Sequence, residues 1–461
     1  MSENVRVYRD VKLAQETLLR RAPLEQVEVS PHLAAGLRRI FGRDLTPAEA
    51  VAEILDTVRR EGDAALRRWM ERIDGLQLDD LEVSADERRR ARADVPGELF
   101  EALELAAGQI EAFHRRQRID SWTDFGPHGA LGQIVRPLAR VGLYVPAGTA
   151  PLPSSLLMAA IPARVAGVGQ IVAATPPDRE TGRVSPVTLA AAEIAGVDRV
   201  FRLGGAQAIA ALAYGTESVP RVDKILGPGN IFVILAKRMV YGAVDIDGLP
   251  GPTETLVIAD ETARPAVVAA DMLAQAEHDR LATAILLTPS EGLAEAVQAE
   301  IQRQVARLSR REILETSLAE RSGIVLVRDL EQALDLSNAY APEHLCLLTA
   351  RPWELVGRVR NAGGIFVGEE SFEVLGDYVA GPSHIMPTGG TARFASPVNV
   401  ADFVKITSLV ALDRAELARL GPAAIRIAEA EGLTAHAHAV RARGIEQETS
   451  PGTTGEEFPH V

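Results

Sequence analysis

The chain has 461 residues, 47% hydrophobic and 24% charged, which at about 150 residues per domain suggests about three units with ample core and no need of disulfides. Its 49 Lys and Arg against 63 Asp and Glu leave a net charge of −14. That balance repels phosphate backbones, no basic stripe with interleaved aromatics offsets it, and nucleic-acid binding is argued against.

In chain order, Met1 to Arg6 carries no apolar run behind its charges, so no signal peptide is expected. Residues 1–30 read as an arm with little periodicity. Thr46-Pro47-Ala48-Glu49 is a capping box with proline at the first helical position. Ser84-Ala85-Asp86-Glu87 repeats the box before a short charged helix, and Asp94-Val95-Pro96 opens another through Leu99, Leu103, Leu105 and Ile110. From Gly132 the pattern turns strand-like, in Gln133–Val135 and Val141–Val145. The weakly charged stretch Ala150–Thr175 holds Arg164, Pro162, Gly167 and Gly169, so it predicts a buried helix and a strand rather than a membrane span.

Strands and helices then alternate: strand Ile171–Ala174, helix Leu189–Ile194, strand Arg199–Leu203, helix Ala206–Tyr214, strand Lys224–Leu226, and another helix after Gly227-Pro228-Gly229-Asn230. A second alternating stretch runs from Ala263 to Gly368, with strands Ala284–Leu287, Ile324–Val327, His344–Leu348 and Ile365–Val367. This order predicts α/β architecture: two incomplete Rossmann-like three-layer domains with parallel sheets, a helical N-terminal arm and a helical C-terminal segment. The expected division is an arm over 1–30, a discontinuous α/β domain over 31–140 and 255–392, an α/β domain over 141–254, a helical segment over 393–445 and a mobile tail over 446–461. No other internal repeat is evident.

Four of the nine histidines stand in distinctive settings. Gln275 and His278, three apart on a helix, share one face, so an amide oxygen and an imidazole can grip one metal ion; the plainer reading is a polar helix end. Glu343-His344 stands at a helix-to-strand junction, where a carboxylate beside an imidazole can run acid–base chemistry, or form a solvated turn after Pro342. The Gly376–His384 loop offers Asp377 as a ligand and His384 as a substrate contact, against an ordinary glycine turn. Glu431 and His436 open a late helix, where an exposed pair is also common; His438 is read as such. Two imidazoles, one carboxylate and one amide oxygen suit zinc, with manganese or cobalt also compatible. Gly227-Pro228-Gly229-Asn230 ends a strand and begins a helix whose N–H groups can receive a pyrophosphate, or is simply a glycine turn. Cys346, the one cysteine, excludes an internal disulfide and fits a reducing cytoplasm. It shares a strand face with His344 and could capture an aldehyde, but its leucine neighbours favour a buried core thiol.

In series these motifs resemble the histidinol dehydrogenase family over about residues 130 to 440. The matching stretches are Gly142-Leu143-Tyr144-Val145-Pro146, Gly204 to Ala210, Gly227 to Asn230, Gly251-Pro252-Thr253-Glu254, Gln275 to His278, Pro342 to Leu345, Gly376 to His384 with Pro387 to Ala392, and Leu433 to His436. The resemblance implies one zinc per subunit on Gln275, His278, Asp377 and His436, an acid–base pair Glu343 and His344, and NAD contacts from Tyr144, Gln207 and Asn230. It implies substrate contacts from Thr253, His384 and Glu431 besides the zinc ligands and His344. Thr253 stands where the family commonly has serine, so the hydroxyl is kept and a methyl is added. The resemblance further implies a cytoplasmic, intertwined homodimer with shared active sites, in which Glu431 and His436 serve the site of the partner subunit, and no membrane partner.

The implied reaction is oxidation of L-histidinol to L-histidine through bound L-histidinal. Zinc is redox-silent, so two NAD take the four electrons. The rival readings are a paralogous dehydrogenase of a small polyol such as a sulfonated diol, a zinc hydrolase with Glu343 activating water, and a non-catalytic zinc-stabilised binding protein. The last leaves Glu343-His344 idle, and the hydrolase leaves one α/β half unused.

Overall fold

The structure is a computed structural model that describes residues 5–21, 31–147 and 151–445; the tail expected over 446–461 lies outside them. Its strands are, in chain order, β1 (Arg6–Tyr8), β2 (Trp122–Gly126), β3 (Gly129–Pro137), β4 (Arg140–Tyr144), β5 (Gln170–Thr175), β6 (Arg199–Arg202), β7 (Lys224–Leu226), β8 (Asp245–Ile246), β9 (Glu254–Ala259), β10 (Thr283–Thr288), β11 (Gly323–Leu326), β12 (His344–Leu348), β13 (Gly364–Val367) and β14 (Val404–Leu412). The chain divides into two compact units, Met1–Arg118 with Pro137–Val404, and Ile119–Arg136 with Lys405–Val461.

The larger unit holds two parallel sheets, as the alternation of strands and helices predicts. One runs β6-β5-β4-β7-β8 and the other β1-β11-β10-β9-β12-β13. The wiring repeats: a central strand (β4, then β9), two steps outward on one side, and a return to the centre's other side (β7, then β12). Each sheet therefore has one point where strand order reverses, between β4 and β7 and between β9 and β12. The second centre, β9, falls outside the strands expected from sequence, although Leu256-Val257-Ile258-Ala259 is a short apolar run and every residue of β9 is buried. The expected arm contributes β1, which pairs with β11 at the edge of the six-stranded sheet.

The expectation that the helices within 31–140 join the 255–392 half is corrected by the packing. Val51, Ile54, Leu66 and Trp69 share a core with Ala208, Leu212 and Ile225, and Leu103 and Ile110 share one with Leu156 and Leu189. These helices cover the five-stranded sheet. The reason lies in helix Gly205–Tyr214, buried at every position from Ala206 to Ala213; a helix apolar all round needs a further layer outside it. The six-stranded sheet draws its cover from its own helices, among them Pro265–Ala276 and Leu330–Tyr340.

Local signals explain the helix starts. At Thr46 both halves of the capping box form. At Ser84 only one does: its hydroxyl accepts from the Glu87 N–H at 3.2 Å, while the Glu87 carboxylate is taken by Arg202. A guanidinium from far along the same chain outcompetes the local N–H.

The smaller unit contains β2 and β3 as an antiparallel pair, with β14 beside β3. The sequence reading turned helical after Thr391, but Val404–Leu412 is a strand, followed by helices Arg414–Ala430 and Thr434–Arg441. Those helices pack through Ile425, Ala428 and Ala437.

Candidate active site

The site grows from the point between β9 and β12, at the amino ends of the strands. Thr253 precedes β9, Glu343 precedes β12, and His344 is its first residue. Helix Pro265–Ala276 follows β9 and runs back along the sheet, so its end delivers Gln275, with His278 just beyond, to the same edge. Helix Glu373–Tyr378, after β13, adds Glu373 and Asp377, one turn apart.

His344 is 3% exposed. Its Nδ1 lies 3.1 Å from the Glu254 carbonyl oxygen, an acceptor only, so Nδ1 carries the proton and donates it. The other nitrogen, Nε2, is buried without a hydrogen-bond partner among the described residues, 3.6 Å from Asp377 Oδ1. Burial opposes charge on this ring, but the carboxylates of Glu373, Glu343 and Asp377 outweigh it and raise its pKa well above the usual histidine value.

Glu343 is 6% exposed. Its Oε2 accepts from Thr253 Oγ1 at 2.6 Å and from the Glu254 N–H at 2.9 Å. Burial pushes its pKa up to about 7, against the pull of His344 and these donors. Asp377 is held below the usual carboxylate range despite its burial, chiefly by His344.

Glu373 is the site residue that sequence reasoning missed. It is 2% exposed, accepts from Thr255 Oγ1 and stands 3.9 Å from His344 Nδ1; burial raises its pKa. The Gln275 amide is satisfied only with its nitrogen towards Glu373 and its oxygen 2.6 Å from Thr253 Oγ1 and 2.7 Å from the Glu254 nitrogen. Thr253 has one proton, so its hydroxyl donates to the Gln275 oxygen or to an ionised Glu343, not to both at once. The sequence signal available for Glu373 was its spacing of four from Asp377 on one short helix.

Of the residues expected to hold metal, Gln275 is wholly buried and His278 exposed at the end of its helix. Asp377 and His344 both lie close enough to His278 to act on its charge. Ligand atoms of His344, Glu373 and Asp377 fall within 4.8 Å of one another. Asp377, kept ionised, and the exposed imidazole of His278 offer oxygen and nitrogen donors without sulfur, chemistry that fits a zinc ion. His436 and Glu431 lie in the smaller unit, both exposed, within and just before helix Thr434–Arg441.

His384 is pinned at both nitrogens: Nδ1 is 2.7 Å from the Asp377 carbonyl oxygen and Nε2 is 3.2 Å from Ser155 Oγ. Ser155 belongs to helix Pro153–Ala166, which packs on the five-stranded sheet, so this contact ties the Gly376–His384 loop to the other half. Cys346 is 1% exposed among apolar neighbours, and burial raises its thiol pKa strongly, as expected of a core thiol.

The residues expected to bind nucleotide gather where the five-stranded sheet reverses, at the carboxyl ends of β4 and β7, the usual ligand crevice of such sheets. Tyr144 ends β4, and its hydroxyl oxygen accepts from the Gly205 N–H at 3.1 Å. Gln207 is 2% exposed and its Oε1 has no partner among the described residues. Asn230, exposed, caps helix Ile231–Val240 through Oδ1, which accepts from the Phe232 N–H at 3.0 Å. A cavity of about 1240 Å³, lined by Glu82, Arg90, Pro176, Arg183 and Arg202 among others, includes none of the candidate site residues.

The family profile described as "Histidinol dehydrogenase" matches residues 43–444. A histidinol dehydrogenase of Deinococcus radiodurans is 56% identical over 420 residues, covering 91% of this chain and 95% of that protein. One of Moorella thermoacetica is 54% identical, covering 88% and 97%. The crystal structure of histidinol dehydrogenase from Elizabethkingia anophelis superposes with a TM-score of 0.88 at 34% identity, covering 96% and 99%. With a profile spanning most of its length and relatives above half identity, the chain belongs to the histidinol dehydrogenase family of oxidoreductases.

Proposed function

We propose that the chain oxidises L-histidinol to L-histidine through bound L-histidinal, with one zinc per subunit and two NAD per substrate, as the last steps of histidine biosynthesis. The observation that carries the reading is His344. Its Nδ1 proton is committed to a backbone carbonyl, and its Nε2 has no partner among the described residues and lies beside Asp377. An imidazole so tethered presents one basic nitrogen to a substrate hydroxyl.

Gln275, His278 and Asp377 would hold the zinc, with His436 from the partner subunit. When bound, zinc fixes the substrate's imidazole and amino nitrogens, and NAD accepts the hydride of each oxidation. His344 Nε2 takes the alcohol proton. Glu343 takes a proton from the water that adds to the aldehyde, and His344 again serves as base for the second oxidation. Both hydrogen bonds of Glu343 run to Oε2, so Oε1 is the atom for that proton. Thr253, His384 and Glu431 would contact substrate. Tyr144, Gln207 and Asn230 would contact NAD, a role supported by the unpartnered Gln207 oxygen and by their place at the reversal of the sheet. The homodimer would follow the family resemblance.

NADH formation with L-histidinol and with a sulfonated diol, at equal concentrations, tests the substrate. Turnover of histidinol alone is expected. Preference for the diol would select the paralogous reading, and turnover without NAD the hydrolase.

A further inference from the structure

Lys237 is wholly buried on helix Ile231–Val240, and Asp247, just beyond β8, has a side chain only 2% exposed; the two form an ion pair. A buried pair of this kind is poor evidence for stability, because desolvation offsets the attraction and apolar replacements often do as well. Its partners indicate what it does. Lys237 Nζ donates to the Gly227 carbonyl oxygen at 3.0 Å, and the Gly227 N–H donates to Asp247 Oδ2 at 2.7 Å. Both polar groups of one turn residue are thus held by charged side chains. Gly227 itself has φ +120°, and a Cβ there would lie 2.0 Å from the Tyr144 carbonyl oxygen, so the turn is pressed against the end of β4 at a position only glycine fills.

We infer that Lys237 and Asp247 are positioning residues for the dinucleotide: they clamp Gly227 and so set the Gly227–Asn230 turn against Tyr144. The inference rests on the nucleotide reading of that crevice. Neither side chain touches the nucleotide; each acts through the backbone of Gly227. Charge-assisted bonds to both sides of one residue fix its orientation more firmly than neutral ones.

The test uses the zinc-loaded full chain with Lys237→Met/Asp247→Leu, which removes both charges together, and with the isosteric Asp247→Asn. Hydrogen–deuterium exchange of the 224–233 segment and steady-state KM for each substrate are measured. Exchange over the turn is expected to quicken, the KM for NAD to rise about ten-fold, and the KM for L-histidinol to stay within about two-fold. Unchanged exchange overturns the clamp. A loosened turn with an unmoved NAD KM, or both KM values rising together, overturns the positioning role, as does loss of folding in both variants. Turnover by the unaltered chain without NAD would defeat the nucleotide reading separately, while the exchange result still reports on the clamp.

Discussion

Three carboxyl groups crowd one imidazole at the centre of the site, and their differences decide their roles. Asp377 stays ionised and suits a cation, whereas Glu343, with its pKa near 7, can exchange a proton at neutral pH. With Asp377 engaged on a cation, His344 loses part of the field that holds its proton and moves towards the range a base needs. In the proposed water-activating role Glu343 works as a carboxylate, and raising the pH through its pKa increases that form. Oxidation of histidinal should therefore rise with pH to a plateau above about 7, and the acid limb should vanish in Glu343→Gln. That variant should slow aldehyde oxidation by about 10²- to 10⁴-fold, leaving alcohol oxidation within about ten-fold; His344→Asn should slow both. Single-turnover rates from histidinol and from histidinal separate the two, and an unchanged aldehyde step in Glu343→Gln would remove its water-activating role. His344 and Asp377 were legible because each sits in a distinctive short motif. Glu373 was not, because its bond to Thr255 spans 118 positions, a partnership no local pattern announces.

At the scale of elements, strand edges set the proposed catalytic pair. Ala341 is the one described non-glycine residue with positive φ, at 53°, and it stands two residues before Glu343. The Gly363 N–H donates to the Pro342 carbonyl at 3.0 Å and the Gly364 N–H to the Glu343 carbonyl at 2.8 Å. A Cβ on Gly363 would lie 2.5 Å from the Glu343 carbonyl oxygen. Gly363→Ala should displace Glu343 and His344 and lower kcat by about 10²-fold, with the KM for NAD little changed; wild-type kcat in that variant would show that the edge does not set the pair. Strands and helices were largely visible where periodicity was clean, as in β5 and β12. Two lapses share a cause: β9 is a short buried run beside a glycine–proline motif, and β14 carries mixed apolar and polar residues between loops. Neither stands out until a neighbouring strand supplies the pairing.

At the scale of the whole molecule, the two sheets repeat one wiring but use opposite ends of it. The residues proposed for the nucleotide gather at the carboxyl ends of β4 and β7, and those proposed for catalysis at the amino ends of β9 and β12. Sequence order showed that there were two α/β halves. It could not show which half the N-terminal helices cover, because an amphipathic helix fits any apolar face of the right size. The proposed sharing of sites predicts complementation. Mixing inactive Asp377→Asn and His436→Asn chains, with exchange of subunits, should restore about a quarter of wild-type activity, since half the dimers would then carry one intact site; no recovery in verified mixed dimers would argue that His436 serves its own chain.

The central claim is a metal-dependent four-electron oxidation, and the most direct measurement is the NADH formed per L-histidinol consumed, with and without a chelator. Two NADH per histidinol are expected, falling to none on verified zinc removal and recovering when zinc is returned. One NADH per histidinol, or undiminished turnover by the metal-free chain, would contradict the account.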